Sequence, residues 1–199
     1  MGETLVDTPH GPARIHLDAP PRPRALLVLG HGAGGGVGAT DLVATAEVAS
    51  GTGFATVLVE QPYRVAGRRA PAPARQLDAA WCTVVAHLRA EVGDDVPLVA
   101  GGRSSGARVA CRTAAATGAL AVLCLAFPLN PPKDRPSRLP ELETVTVPTL
   151  VVQGTRDPFG MPPDGPGRKV VAVAGDHSLR ADLPGVRAAV GDWLAGVLA

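Results

Sequence analysis

Two apolar patterns alternate along the chain. Residues 25–29, ALLVL, form an unbroken apolar run, as a strand covered on both faces requires. Runs of similar make-up recur at 54–59, 96–100, 120–126, 149–152 and 170–173. Between them the period changes. Over residues 75–92, Leu77, Trp81, Val84, Val85 and Leu88 recur three and four positions apart, which predicts an amphipathic helix. Residues 186–198 carry Val186, Val190, Trp193, Leu194 and Val197 on one side and predict a closing helix. Residues 41–49, stopped by Ser50-Gly51-Thr52-Gly53, and residues 105–117 also read as helices. Trp81 and Trp193 are expected in the core.

The ends and the middle depart from this alternation. Residues 4–17 predict a hairpin, with TLVD and ARIHL flanking a turn at His10-Gly11-Pro12. Pro20-Pro21-Arg22-Pro23 is a stiff lead-in. Residues 128–147 are proline-rich and predict a loop with one helical turn near 139–143, too short for a substantial lid domain. Strands alternating with helices imply an α/β fold with a mostly parallel sheet covered on both faces. The 199 residues suit a single domain, 1–199.

Composition narrows the function classes. Apolar residues make up 46% of the chain, so a packed core is expected and disorder is not. A formal charge of +1 offers no electrostatic footprint for nucleic acid. No stretch has the apolar length of a membrane span, and the N-terminus lacks the basic-then-apolar pattern of a secretory leader. The expectation is a cytoplasmic protein without membrane or nucleic-acid partners. Cys82, Cys111 and Cys124 show no C-x-x-C spacing and read as small core residues. His10 and His16 lack acidic or cysteine partners nearby, so no metal and no cofactor is expected.

In a sheet of this kind ligands bind beyond the C-terminal strand ends, so residues directly after strands matter most. Four segments stand there. Gly102-Arg103-Ser104-Ser105-Gly106 matches G-x-S-x-G between a predicted strand and a predicted helix, the setting of a nucleophile elbow with Ser104 at its tip. Asp157 follows the strand at 149–152, and His177 follows the strand at 170–173. A serine hydroxyl is a poor nucleophile unless a base takes its proton. His177 could be that base, and an acid could hold its tautomer. Asp157 is the first choice for the acid. Asp176, adjacent to His177, would have to fold back and ranks second.

The fourth segment, LLVLGHGAGGG, has two readings. Gly30, Gly32 and Gly35 fit G-x-G-x-x-G, with Glu60 closing a later strand, as a dinucleotide site would need. But His31 is bulky where a pyrophosphate should lie, and the loop runs on past Gly35 through Gly38. Glu60 also lies thirty residues after Gly30, against about 20 in that motif. An oxyanion loop fits better, with backbone N–H groups of Ala33 or Gly34 and of Ser105 as donors. One such donor is worth roughly 3 kcal/mol in a transition state. Arg64, Arg68 and Arg69, after the strand at 54–59, read first as a solvated loop and alternatively as a contact for an anionic substrate, with Arg64 the candidate.

HGAGGG, GGRSSGAR, GTRDPFG and GDHSL, in this order, resemble the α/β-hydrolase superfamily over about residues 26–198. They are most similar to its small, nearly lidless members related to dienelactone hydrolases. The GGRS elbow also resembles a branch that includes a eukaryotic chromatin-complex subunit and bacterial relatives, and EQPYRVAGRRAPAP resembles the loop after the fourth strand in those relatives. The resemblance implies Ser104 as nucleophile, Asp157 as acid and His177 as base. Ser105 stands where many relatives carry a bulkier residue. The expected function is a serine hydrolase (carboxylesterase-like) taking a small-molecule ester or related acyl substrate. The alternatives are a non-catalytic binding or scaffold module of the same fold and, third, a nucleotide-binding oxidoreductase.

Overall fold

The computed structural model describes residues 2–133 and 135–198. Its centre is one eight-stranded sheet in the order β1-β2-β4-β3-β5-β6-β7-β8. The strands are β1 (Gly2–Val6), β2 (Ala13–Asp18), β3 (Ala25–Gly30), β4 (Phe54–Glu60), β5 (Leu98–Arg103), β6 (Ala121–Leu125), β7 (Thr149–Gly154) and β8 (Arg168–Val173). The helices are α1 (Thr40–Gly51), α2 (Pro62–Val65), α3 (Ala74–Val92), α4 (Ser105–Thr117), α5 (Leu139–Glu143) and α6 (Leu183–Val197).

β3 to β8 form the parallel part, and every residue of β3, β6 and β7 is buried. That is why these strands read as continuous apolar runs. β1 and β2 form the predicted hairpin and join antiparallel to β4. At β1, on the edge, only Val6 is buried. Two core layers flank the sheet. Leu77, Trp81, Val84 and Leu88 of α3 pack with Val109 and Ala110 of α4 on one face. Leu42 of α1 packs with Val186, Val190 and Leu194 of α6 on the other.

Several boundaries differ from expectation for local reasons. β5 begins at Leu98 rather than Val96 and runs through both glycines to Arg103, because its pairing with β6 continues to Arg103–Leu125. α6 begins at Leu183, three residues early, because the Asp182 carboxylate caps it by accepting from Gly185 N–H at 2.9 Å. The segment after β4 is not all loop: Pro62 opens the single turn α2, where its fixed φ suits a first helical position. Cys111 and Cys124 are buried as expected, while Cys82 is half-buried. Trp81 is fully buried, and Trp193 is partly buried against its core layer.

The chain turns from β3 to β4 on one side and returns to β5 on the other. The loops leaving β3 and β5 therefore diverge to opposite faces and open a crevice between them.

Candidate active site

Ser104 sits between β5 and α4 with φ 53° and ψ −107°, a conformation that L residues seldom hold. Its N–H donates to Leu125 O at 2.9 Å, which ties the elbow to the end of β6. The turn closes because Gly106 has no side chain: a methyl group there would collide with the Gly30 backbone. The two glycines of the motif thus set the distance between α4 and β3.

Three side chains remote in sequence converge at this rim. Ser104 Oγ lies 2.9 Å from His177 Nε2, and His177 Nδ1 lies 2.7 Å from Asp157 Oδ2. With a carboxylate facing Nδ1, that nitrogen carries the proton, and Nε2 is left to accept from the serine hydroxyl. The Asp157 side chain is fully buried. Its Oδ2 also accepts from Gln153 Nε2 at 2.9 Å, and its Oδ1 accepts from Phe159 N–H at 2.9 Å. A buried carboxylate needs such donors, and this one has three counting His177. The Phe159 ring meets the His177 ring edge-on, with centroids 4.6 Å apart, and narrows the room in which the imidazole can turn.

Asp176 does not take part. It is exposed and accepts from Ser178 N–H and Oγ–H at 2.9 and 2.6 Å, bonds that hold its carboxyl below the usual range. The choice between the two acids comes down to reach, and Asp157 has it.

The loop after β3 lies opposite. Ala33 and Gly34 line the same open groove, of about 710 Å³, as Ser104, His177, Phe159, Arg103 and Arg180. Among the described residues, the N–H groups of Ala33 and Gly34 have no backbone partner. Ser105 is the first residue of α4, so its N–H belongs to the unpaired donors of a helix start. A dinucleotide loop would open a helix at its third glycine, whereas α1 begins only at Thr40.

His31 is 2% exposed and holds this loop in place. Gln61 N–H donates to His31 Nε2 at 3.1 Å, so Nδ1 carries the proton and donates to Gly32 O at 2.8 Å. Burial pushes its pKa below the ordinary 6.5. Tyr63 Oη–H donates to Ala33 O at 2.9 Å. The segment after β4 therefore reaches the site through Gln61 and Tyr63, not through its arginines. Arg64 is not among the residues lining the Ser104 groove, and its Nη1 donates to Arg68 O at 3.4 Å. Its side chain follows the turn of α2 back over its own segment. A more enclosed hollow of about 210 Å³, between His10–Pro12 and Tyr63–Arg68, contains none of the three convergent residues.

Sequence reading missed Gln153, Phe159, Arg103 and Asp41. Gln153 had a signal, a polar residue closing an apolar strand. Arg103 had a weaker one, a cation inside the elbow motif. Asp41 is 1% exposed, and its Oδ2 lies 2.8 Å from Arg103 Nε, an ion pair whose N–H is not aimed squarely at the oxygen. Burial raises the Asp41 carboxyl, and the Arg103 charge opposes that.

Among the described residues no cluster could hold a metal ion, and no helix is long and apolar enough to cross a membrane.

Comparison with known proteins agrees with this architecture. A serine hydrolase homologue from Coxiella burnetii superposes with a TM-score of 0.80 at 16% identity, covering 97% of each chain. A lidless α/β serine hydrolase from Xanthomonas campestris gives 0.78 at 20% identity, covering 98% of this chain and 94% of that one. A dienelactone hydrolase from Anabaena variabilis gives 0.75 at 18% identity, covering 98% and 97%. At these identities the likeness is one of fold. No curated protein matches the chain in sequence. A family model described as an alpha/beta hydrolase domain matches residues 23–181, which contain Ser104, Asp157, His177 and the glycine loop. The chain belongs to the alpha/beta hydrolase domain family.

Proposed function

We propose that the protein is a serine hydrolase of ester or related acyl substrates. The observation that carries this reading is the unbroken chain from Ser104 Oγ through His177 to Asp157, at 2.9 and 2.7 Å. Family membership supports hydrolase chemistry in general.

In this mechanism His177 Nε2 takes the Ser104 proton as Oγ attacks the substrate carbonyl. The tetrahedral oxyanion meets the N–H groups of Ala33 or Gly34 and of Ser105. Collapse breaks the bond to the leaving group, which receives the proton from His177 and departs, leaving an ester on Ser104. Water then attacks that ester and gives its proton to His177. The second tetrahedral intermediate collapses to release the carboxylic acid, and His177 gives its proton to the departing Ser104 Oγ. Asp157 stabilises the imidazolium at both stages and fixes its orientation. An open groove of about 710 Å³ fits a small-molecule substrate reached directly from solvent.

Labelling with a fluorophosphonate, together with hydrolysis of p-nitrophenyl esters of graded chain length, tests this. Wild type should label and turn over. Ser104→Ala should not label, and its kcat should fall by about 10³-fold or more. Folded wild-type protein that neither labels nor hydrolyses any ester would reject the reading in favour of a binding module.

A further inference from the structure

We propose that Arg103, the residue inside the elbow motif, is a positioning residue that holds the His177 loop and the oxyanion loop in register with Ser104. The proposal rests on the hydrolase reading above for its catalytic consequence, but its geometry stands apart from it.

Arg103 ends β5, so its backbone is continuous with the elbow. Its side chain folds inward and is 17% exposed. Nη2 donates to the carbonyl of His177 at 2.7 Å. Nε pairs at 2.8 Å with Asp41, in the first turn of α1, the helix that follows the oxyanion loop. Nη1 lies against Gly32: a methyl group there would stand 2.9 Å from it. One planar cation thus touches the base loop, the oxyanion loop and α1. A side chain at position 32 would have to displace the Nη1 end of the guanidinium.

The base loop needs such a hold. It follows β8, an edge strand with only Val173 fully buried, so no neighbouring strand supports it on its outer side. Leu179 is fully buried there and Arg156 N–H donates to Gly175 O at 2.8 Å, while Arg103 adds a bond to the very residue whose ring must meet Ser104. A displacement of about 1 Å at reacting groups can cost roughly a hundredfold in rate. An ion pair with Asp41 alone would need only a charge. The arrangement uses a fork, with separate nitrogens for separate partners, and lysine cannot reproduce that.

Arg103→Lys keeps the charge that buried Asp41 requires and removes the fork. Three readouts are taken: thermal unfolding, kcat and KM with p-nitrophenyl acetate, and amide hydrogen exchange of residues 174–179. The melting temperature should stay near that of wild type. Exchange of the segment should quicken about tenfold as the base loop opens more often. kcat should fall about tenfold or more with KM within about twofold, and the unchanged melting temperature separates this from a smaller folded fraction, which would also lower kcat at constant KM. Should Arg103→Lys not fold, Asp41→Asn with Arg103→Gln removes both buried charges and should release the same segment. Unchanged exchange in the folded variant, or unchanged kcat, overturns the proposal. If wild type itself does not label with fluorophosphonate, the hydrolase reading fails while the exchange result still decides what Arg103 holds.

Discussion

Gln153 is the buried side chain that ties Asp157 to two backbone carbonyls. Its Nε2 group faces three acceptors, Asp157 Oδ2, Gly160 O and Phe127 O, at 2.9, 2.8 and 3.1 Å. All three are oxygens, so the amide cannot be flipped without setting oxygen against oxygen. Gln153→Leu keeps the approximate volume and deletes the donors. The expected cost is about 1–3 kcal/mol, from leaving buried acceptors unpaired. That corresponds to a melting temperature lower by roughly 2–12 °C for a domain of this size. Asp157 keeps its bonds from Phe159 and His177, so under the proposed function kcat with p-nitrophenyl esters should drop by less than the about 10²–10⁴-fold that general acid–base catalysis supplies. Calorimetry and steady-state kinetics on one preparation check both.

At the scale of elements, the loop between β3 and α1 is held from behind by the segment that follows β4. His31 is neutral there because it accepts from Gln61 and donates to Gly32. Its pKa is lowered by burial, so below pH 6.5 the unfolded chain binds a proton that the folded chain refuses. Stability therefore falls as pH drops below 6.5, by linkage. His31→Gln lacks that group and should lose stability more gently between pH 7 and 5 than wild type, while starting about 1–3 kcal/mol lower. Urea unfolding at several pH values gives both slopes. The other histidines are common to both proteins, so the difference isolates His31. This loop's glycine pattern and its chain position were visible in the sequence. Its buttress was not, because Gln61 and Tyr63 reach it only when β4 lies beside β3.

For the whole molecule, the irregular segment between β6 and β7 is fastened by charge. Glu141 of α5 accepts from Arg108 at 2.8 and 2.6 Å and from Arg112 at 3.3 Å, while Arg112 also grips Asp78 of α3. Burial raises the Glu141 carboxyl, but the hydrogen bonds and charges of Arg108 and Arg112 outweigh it and hold the group below its ordinary 4.5. A depressed carboxyl contributes stability that is present above pH 4.5 and lost as pH falls through its folded value. Glu141→Gln should thus be less stable than wild type at pH 7, and the gap should narrow below pH 4.5. Thermal melts at pH 7 and at pH 3.5 to 4.5 would show it; a gap independent of pH would assign the effect to packing instead.

Residue pattern alone determined the alternation of strands and helices, because a strand buried on both faces is mostly apolar and a surface helix is striped. It also determined the candidate residues after β3, β5, β7 and β8, since strand C-termini are where such a sheet exposes its chemistry. The tertiary structure decided among them. Asp157 rather than Asp176 faces His177, Tyr63 rather than Arg64 reaches the site from the segment after β4, and Arg103 turns inward to Asp41 and His177. Each of those outcomes depends on distances between segments far apart in the chain. Hydrophobic periodicity records which face of an element is buried, but not which loop another loop will meet.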